Sequence, residues 1–263
     1  MAGKTRKVSR SDWVVAIPSY KRAEILRDKT LAVFKKYGIE SSRIYIFVAD
    51  ADEAATYKAT LNPKDYNKIV VAEKGLHNAR NIINGYFPVG KKIVEADDDI
   101  RGFIEFDAST KRHERPVVSL KRIIDRGFAE AAKAGARLWG VYPSANGFFM
   151  KDTVTTNLKH IVGSFWGQIN PGKKVVIHLQ SKEDYERTLQ FWKMDGVVVR
   201  LNFVSPQTAY YKTPGGLQLT RTKEKIEAEV KFLQEHYPEF IKINPHRKSG
   251  FVEIRLKEPT THT

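Results

Sequence analysis

Four short apolar runs, each followed by a helical stretch or a turn, set the strongest limit on how this chain can fold. Trp13–Ile17, Ile44–Val48, Lys68–Ala72 and the run beginning at Lys92 have the length and composition of buried strands. The first is followed by a helix carrying Leu26, Val33, Phe34 and Tyr37 on one face and stopping at Gly38. A short helix follows the second. Gly75-Leu76-His77-Asn78-Ala79-Arg80-Asn81 opens a third, with Leu76, Ala79, Ile83 and Tyr86 on its apolar face. Such alternation predicts an α/β fold with a parallel sheet, whose ligands sit beyond the carboxyl ends of the strands. Ser19, Arg22, Asp50, Arg80 and Asp97–Asp99 all follow or open elements at that one edge.

The fourth run ends in acid: Lys92-Ile93-Val94-Glu95-Ala96-Asp97-Asp98-Asp99 places four carboxylates within five residues. Carboxylates this close raise one another's pKa unless a cation sits between them. Mg²⁺ and Mn²⁺ take oxygen ligands and are usually held by one or two carboxylates plus substrate phosphates. On an extended strand, residues two apart share a face, so Glu95, Asp97 and Asp99 are expected to project together. This reading is a metal site for a diphosphate-bearing substrate; the alternative is a solvated acidic turn.

The pattern changes after residue 100. Ser119 is the expected N-cap of a helix bearing Leu120, Ile123, Ile124, Phe128 and Ala131 and closed by Gly135. Leu138–Tyr142 reads as a strand and Phe148–Met150 as another. His160–Ile169 and Lys174–Leu179, on either side of Asn170-Pro171-Gly172, read as a hairpin. Ser181 and Asp184 suggest a capping box for a helix through Met194, and Val197–Val204 a further strand. A loop at Tyr210–Gly216, a charged helix from Thr222 to His236 and a basic strand, Phe251–Lys257, complete the chain. With no repeat or linker, residues 1–263 read as one domain.

Lys and Arg outnumber Asp and Glu by 45 to 30, a formal charge of +15 that favours a polyanionic partner. The bland alternative is a basic surface kept for solubility. The excess is dispersed, with no single tail to account for it, which favours a broad groove over a polybasic arm. Cysteine is absent, which excludes disulfides, thiolate catalysis and cysteine-held metal. There is neither an apolar run long enough to span a bilayer nor a signal-peptide pattern, so a cytoplasmic location is expected.

Several motifs, taken in order, resemble those of GT-A glycosyltransferases, nucleotide-sugar enzymes built on a single Rossmann-like, mixed central sheet. Ile17-Pro18-Ser19-Tyr20-Lys21-Arg22 is similar to the first-strand motif of the family 2 type. Asp50 lies where that family places an acid against the nucleotide base. Gly75 with Ala79-Arg80-Asn81 resembles its glycine and Ala-Arg-Asn helix. Glu95–Asp99 resembles its DXD region, in the register Glu95-x-Asp97 or Asp97-x-Asp99. Glu183-Asp184 resembles its late Glu-Asp motif. The basic charge and the Gly215-Gly216 loop after Tyr210-Tyr211 resemble the TET/JBP-associated branch, mostly phage-encoded and thought to glycosylate hydroxymethylated pyrimidines in DNA.

The resemblance implies a nucleotide-sugar half at about 11–100, an acceptor half at about 101–216, and a C-terminal helix and strand. It implies a Mn²⁺ or Mg²⁺ at Asp97 and Asp99 with Asp98 or Glu95 assisting, and a nucleoside-diphosphate sugar, by default UDP-glucose, as donor. Pro18, Ser19, Tyr20, Arg22, Asp50, Arg80, Asp97 and Asp98 would line the donor site. Asp184, with Glu183 second, would be the base of an inverting transfer to 5-hydroxymethylcytosine or its uracil counterpart in DNA; the competing role for Asp184 is the Ser181 cap. Asn146, Tyr210, Tyr211, Lys212, Arg221, Arg247 and Lys248 are the expected acceptor contacts. His178 reads as a structural histidine before a metal ligand. The competing functions are a GT-A transferase for a glycan, protein or small molecule, and a catalytically silent DNA-binding module on the same scaffold.

Overall fold

The computed structural model describes residues 12–208, 222–244 and 252–259. Its centre is an eight-stranded mixed sheet. In spatial order the strands are β3 (Lys68–Val71), β2 (Ile44–Val48), β1 (Trp13–Pro18), β4 (Lys92–Ala96), β9 (Phe165–Ile169), β7 (Leu138–Val141), β10 (Val199–Leu201) and β8 (Val154–Thr155). The first four are parallel; β9 runs against both β4 and β7, and β8 against β10. This is the α/β class that the alternation implied; the sheet is not wholly parallel but mixed, as the resemblance implied. Because β7 and β10 regain the direction of β4, the carboxyl ends of six strands and the amino end of β9 share one edge.

β1 is buried throughout and sorts its side chains by the period of two. Trp13, Val15 and Ile17 enter a large core with α1 (Ala23–Leu26), α2 (Ala32–Lys36), α3 (Ala51–Thr60) and α5 (Leu120–Ala134). Val14 and Ala16 pack on the other side against Ile83 of α4 (Leu76–Tyr86) and against Phe87. A third cluster seats Phe191 of α6 (Glu183–Asp195) on Leu138 and Trp166. A fourth joins α6 to α7 (Lys223–His236) and to the antiparallel pair β12 (Ile241–Asn244) and β13 (Glu253–Leu256). Ser119 caps α5 as expected, and Gly135 closes it in the left-handed region at φ 73°.

Four local expectations fail, each for a physical reason. Phe148–Met150 is a turn, not a strand. The run from Val197 to Val204 is two strands: the chain turns at Asn202-Phe203 and leaves the main sheet. β11 (Val204–Gln207) instead joins β5 (Gly102–Phe106) and β6 (Glu114–Pro116) in a small antiparallel sheet. The hairpin at Asn170-Pro171-Gly172 does not form, because Lys174–Leu179 has no strand beside it. Its backbone is paired by side chains: Asn81 with both groups of Ile177, Gln190 with both of Val176, and Glu186 with the N–H groups of His178 and Leu179. The Ser181–Asp184 capping box is absent too. The N-cap of α6 is Lys182, without a side-chain cap, and Glu229 of α7 instead accepts from the N–H groups of Gln180, Ser181 and Lys182 at 2.8–3.2 Å.

Among the described residues no helix is long and apolar enough to cross a membrane.

Trp139 is fully buried, and a Cβ placed on Gly127 or Gly167 would come within 2.4 Å of its indole. Gly127→Ala or Gly167→Ala should therefore overpack the core and cost about 1–3 kcal/mol, read as a lower urea midpoint with unchanged slope.

Candidate active site at the carboxyl edge of the sheet

The edge is built from the turns that end the strands. β1 runs into Ser19, which is buried and hydrogen-bonds Asp98 Oδ2 at 2.6 Å and the Tyr57 hydroxyl at 2.7 Å. Two residues on, Lys21 holds φ 54°, a left-handed conformation uncommon for a residue with a Cβ. Glu53 accepts from its N–H at 2.9 Å, and the turn delivers Arg22 to Asp98 Oδ1 at 3.1 Å. Tyr20 carries the ammonium groups of Lys21 and Lys74 at 5.4 and 5.7 Å from its ring. Asp50 is exposed and caps α3, accepting from Glu53 N at 2.8 Å.

α1 and α2 are one helix interrupted by a π turn at Arg27–Leu31. Such bulges redirect a side chain out of helical register and are frequent at functional sites. Here the buried Thr30 hydroxyl donates to the Asp97 carbonyl at 2.7 Å and accepts from Ile100 N at 3.0 Å. It thus fixes the turn that carries the acids.

β4 ends at Ala96, so the strand alternation stops short of Asp99. Glu95 and Asp97 do share a side, that of Arg80, while Asp99 turns away to the side of Arg22 and Asp98. Glu95 is fully buried and committed: Oε2 accepts from Arg80 at 2.6 Å and Oε1 from Gln168 at 3.0 Å. That leaves Asp97-x-Asp99 as the pair with open oxygens, Asp97 keeping 39% of its side chain exposed. An all-oxygen pair suits Mg²⁺ or Mn²⁺, with phosphates completing the shell. Among the described residues no three His, Asp or Glu side chains group tightly enough to hold a metal by themselves.

Arg80 ties this turn to α6. It is buried among Glu95, the Gly163 carbonyl at 3.1 Å, Asp97 at 3.7 Å and Glu183 at 3.6 Å. Glu183 is gripped from its other oxygen by Arg187 at 2.6 Å, whose guanidinium lies 3.8 Å from the Trp166 ring centre. A Cβ on Gly163 would come within 2.6 Å of Glu183, so this close approach requires glycine. Burial works to lower the Arg80 pKa, yet Glu95, Glu183 and Asp97 together hold it above its usual value. Asp184, next along α6, has Oδ2 2.9 Å from His160 Nε2, and that imidazole stacks on Tyr185 at 4.1 Å between ring centres. Burial pushes the Asp184 pKa up, but His160, Arg187 and Lys182 hold it well below the carboxylate range.

Asn146 lies beyond β7 at the same edge, where its side chain accepts from Phe148 N at 3.1 Å. Phe148 and Phe149, 65% and 63% exposed, stand beside it, whereas Trp139 and Trp166 are core. His178 hydrogen-bonds Glu186 at 2.7 Å, away from the acidic turn. Tyr210, Tyr211, Lys212, Arg221, Arg247 and Lys248 lie outside the described residues. Sequence reasoning missed Thr30, Tyr57, His160 and Arg187. Only Arg187 left a signal, its spacing of four from Glu183.

No family model and no curated protein matches the chain. Among solved structures it is similar to a mycobacterial protein at 8% identity, over 94% of this chain and 84% of that one, with a TM-score of 0.51. It is also similar to S. aureus TarS at 13% identity (73% of this chain, 58% of that one, TM-score 0.47). A mannosyltransferase from Pyrobaculum calidifontis, solved with GDP-Man and Mn²⁺, is 13% identical over 60% of this chain and 44% of that one, TM-score 0.39. The chain thus spans less than two thirds of the length of TarS and of the mannosyltransferase. The mycobacterial likeness shows a shared fold and nothing of function.

The acids of the turn make a prediction about pH. Desolvation at its partly buried carboxyl raises Asp97, Arg80 opposing and Asp99, Asp98 and Glu183 adding; burial raises Asp98 to about 6 against Arg22 and Ser19. Carboxyls raised above their unfolded value bind more protons in the folded state, so their contribution to stability is full below about pH 4 and is lost as pH rises through about 6 and above. A divalent cation competes with those protons. The rise in Tm on adding Mn²⁺ to chelator-treated protein should therefore be larger at pH 8.5 than at pH 6.

Proposed function

We propose that this chain is a metal-dependent GT-A glycosyltransferase. One observation carries the reading: a single Arg80 nitrogen lies 3.7 Å from Asp97 and 3.6 Å from Glu183. The acidic turn after β4 and the Glu183-Asp184 pair, 86 residues apart in sequence (183 − 97), are thereby neighbours at the edge where α/β folds bind ligands. Both motifs of the resemblance meet in one place.

In this reading Asp97 and Asp99 hold Mn²⁺ or Mg²⁺, which when bound neutralises charge developing on the leaving diphosphate. Arg22 and Lys21 flank the phosphate position. Tyr20 and Asp50 lie to the side of β2, where the nucleotide base and ribose would sit. Asp184 and His160 form the proton-accepting end of the site, and an attacking hydroxyl placed between them and the donor would displace the diphosphate with inversion. For the donor we infer a UDP-sugar, with glucose as the default.

For the acceptor we propose 5-hydroxymethylpyrimidine in DNA, with 5-hydroxymethylcytosine favoured. Two features support it: the formal charge of +15 and the exposed Phe148-Phe149 pair on the loop after β7, at the same edge as the acids. A base extruded from a duplex needs an aromatic or apolar surface to replace its stack. Tyr210, Tyr211, Lys212, Arg221, Arg247 and Lys248 are the remaining proposed contacts.

Mass spectrometry of nucleosides after incubating hydroxymethylated DNA with a panel of nucleotide sugars should find a hexose adduct that chelator abolishes. Transfer to a glycan and not to DNA would overturn the acceptor; metal-dependent hydrolysis of donor would eliminate a silent binding module. Asp184→Asn should keep donor binding while lowering turnover by about 10²-fold or more. Turnover unchanged in that variant would remove Asp184 from the chemistry.

A further inference from the structure

His160 sits where an otherwise featureless loop meets α6. Its Nε2 is shut off from solvent and has no partner besides the Asp184 carboxylate 2.9 Å away. The ring is clamped face to face on Tyr185 at 17° between planes, so it cannot turn without losing the stack. Its side chain keeps 23% exposure, and among the described residues nothing bonds Nδ1. Asp184 is fixed in turn: Oδ1 accepts from Tyr185 N at 3.0 Å, and the helix carrying it is anchored by the Arg187–Glu183 pair. An imidazole with one nitrogen held by a buried-side carboxylate and the other turned outward is the base-and-orienter arrangement of nucleophilic enzymes.

We infer that His160, through Nδ1, is the proton acceptor of the transfer, and that Asp184 is its positioning residue. The inference rests on the glycosyltransferase reading above. The acceptor oxygen bonds to the anomeric carbon of the donor as the bond from that carbon to the phosphate oxygen breaks. The electron pair of the breaking bond leaves with the diphosphate, and the hydroxyl proton passes to Nδ1. Asp184 then faces an imidazolium, which it stabilises as a full charge pair.

The groups facing the ring are Asp184 and Tyr185 of α6, with Lys182 and Arg187 beyond them on the same helix and Lys159 adjacent in the chain. Three cations and one carboxylate are thus the charges around the ring. The acid limb of the rate profile should therefore belong to the ring and vanish when the ring is replaced.

The test is steady-state transfer to hydroxymethylated DNA by the full chain as a function of pH, with nucleoside-diphosphate binding measured separately. His160→Ala should lose about 10²- to 10⁴-fold in turnover with nucleotide binding intact, and added imidazole should restore part of it at a rate that follows the free-base fraction. His160→Gln, which keeps a polar side chain of similar reach, should bind nucleotide normally, be equally slow and lose the acid limb. Full activity in either variant would overturn the inference, as would an acid limb that survives in His160→Gln. An unmodified protein that binds nucleotide but transfers to no acceptor would overturn the glycosyltransferase reading itself, and this inference with it.

Discussion

The candidate site depends on one buried cation. Arg80 carries no water-facing surface to speak of, so its charge has to be answered by protein groups, and Glu95, Glu183 and Asp97 answer it. A buried ion pair is poor evidence of net stability, since desolvation offsets most of the attraction; breaking one is nonetheless costly because the survivor is left uncompensated, typically by about 3–5 kcal/mol. Its effect here is on geometry. A guanidinium offers donors in a fixed planar fork, so Glu95 on β4, the Gly163 carbonyl before β9 and Glu183 on α6 are placed relative to one another by a rigid body. Arg187 repeats the device on the far side of Glu183, with Trp166 beneath both cations.

That arrangement sorts four neighbouring acids into different tasks. Glu95 is consumed inside the protein. Asp98 is turned onto Ser19 and Arg22, where it closes the β1 turn instead of facing solvent. Asp97 is left facing solvent and Asp99 half-buried beside Arg22 on either side of it, with Thr30 holding the backbone between. Strand periodicity alone cannot make this distinction, because it ends with the strand: Glu95 and Asp97 are separated by burial, and Asp97 and Asp99 by a turn.

The nucleotide side of the sheet was legible in the sequence for a related reason. β1, β2 and β4 are buried on both faces, so they read as unbroken apolar runs, and the Gly38 and Gly135 stops mark turns that favour a left-handed φ. Ser19, Arg22 and Asp97 stood out as polar groups just beyond such strands, Arg80 as one opening a helix at the same edge, and Glu183 through the family resemblance. Legibility ended where backbone partners are side chains far away in the sequence. Lys174–Leu179 has a strand's composition, but its hydrogen bonds go to Asn81, Glu186 and Gln190, and no local pattern announces that. Val197–Val204 likewise has a strand's composition throughout. Its break at Asn202 comes from side-chain bonds to Thr153 and Thr155 and from the pull of a second sheet. His160 was missed because it read as the start of a strand that begins only at Phe165; it lies in the preceding loop, and its meaning comes only from the helix it meets.

The same substitution of side chains for strand partners extends from the core to the end of the chain. Glu229 of α7 takes three successive N–H groups from residues 180–182, immediately before Glu183 and Asp184. The N–H groups before a helix attract a carboxylate both as donors and through the partial positive charge of the helix end. Here the carboxylate comes from another helix, not from a local cap. α7 and the β12–β13 pair bury Leu189 of α6 in their own cluster, so this C-terminal layer fixes both the start and the apolar face of the helix bearing the Glu-Asp pair. The position of Asp184, and through it the orientation of His160, is therefore set from two directions: by Arg80 and Arg187 from the sheet, and by Glu229 from the C-terminal layer.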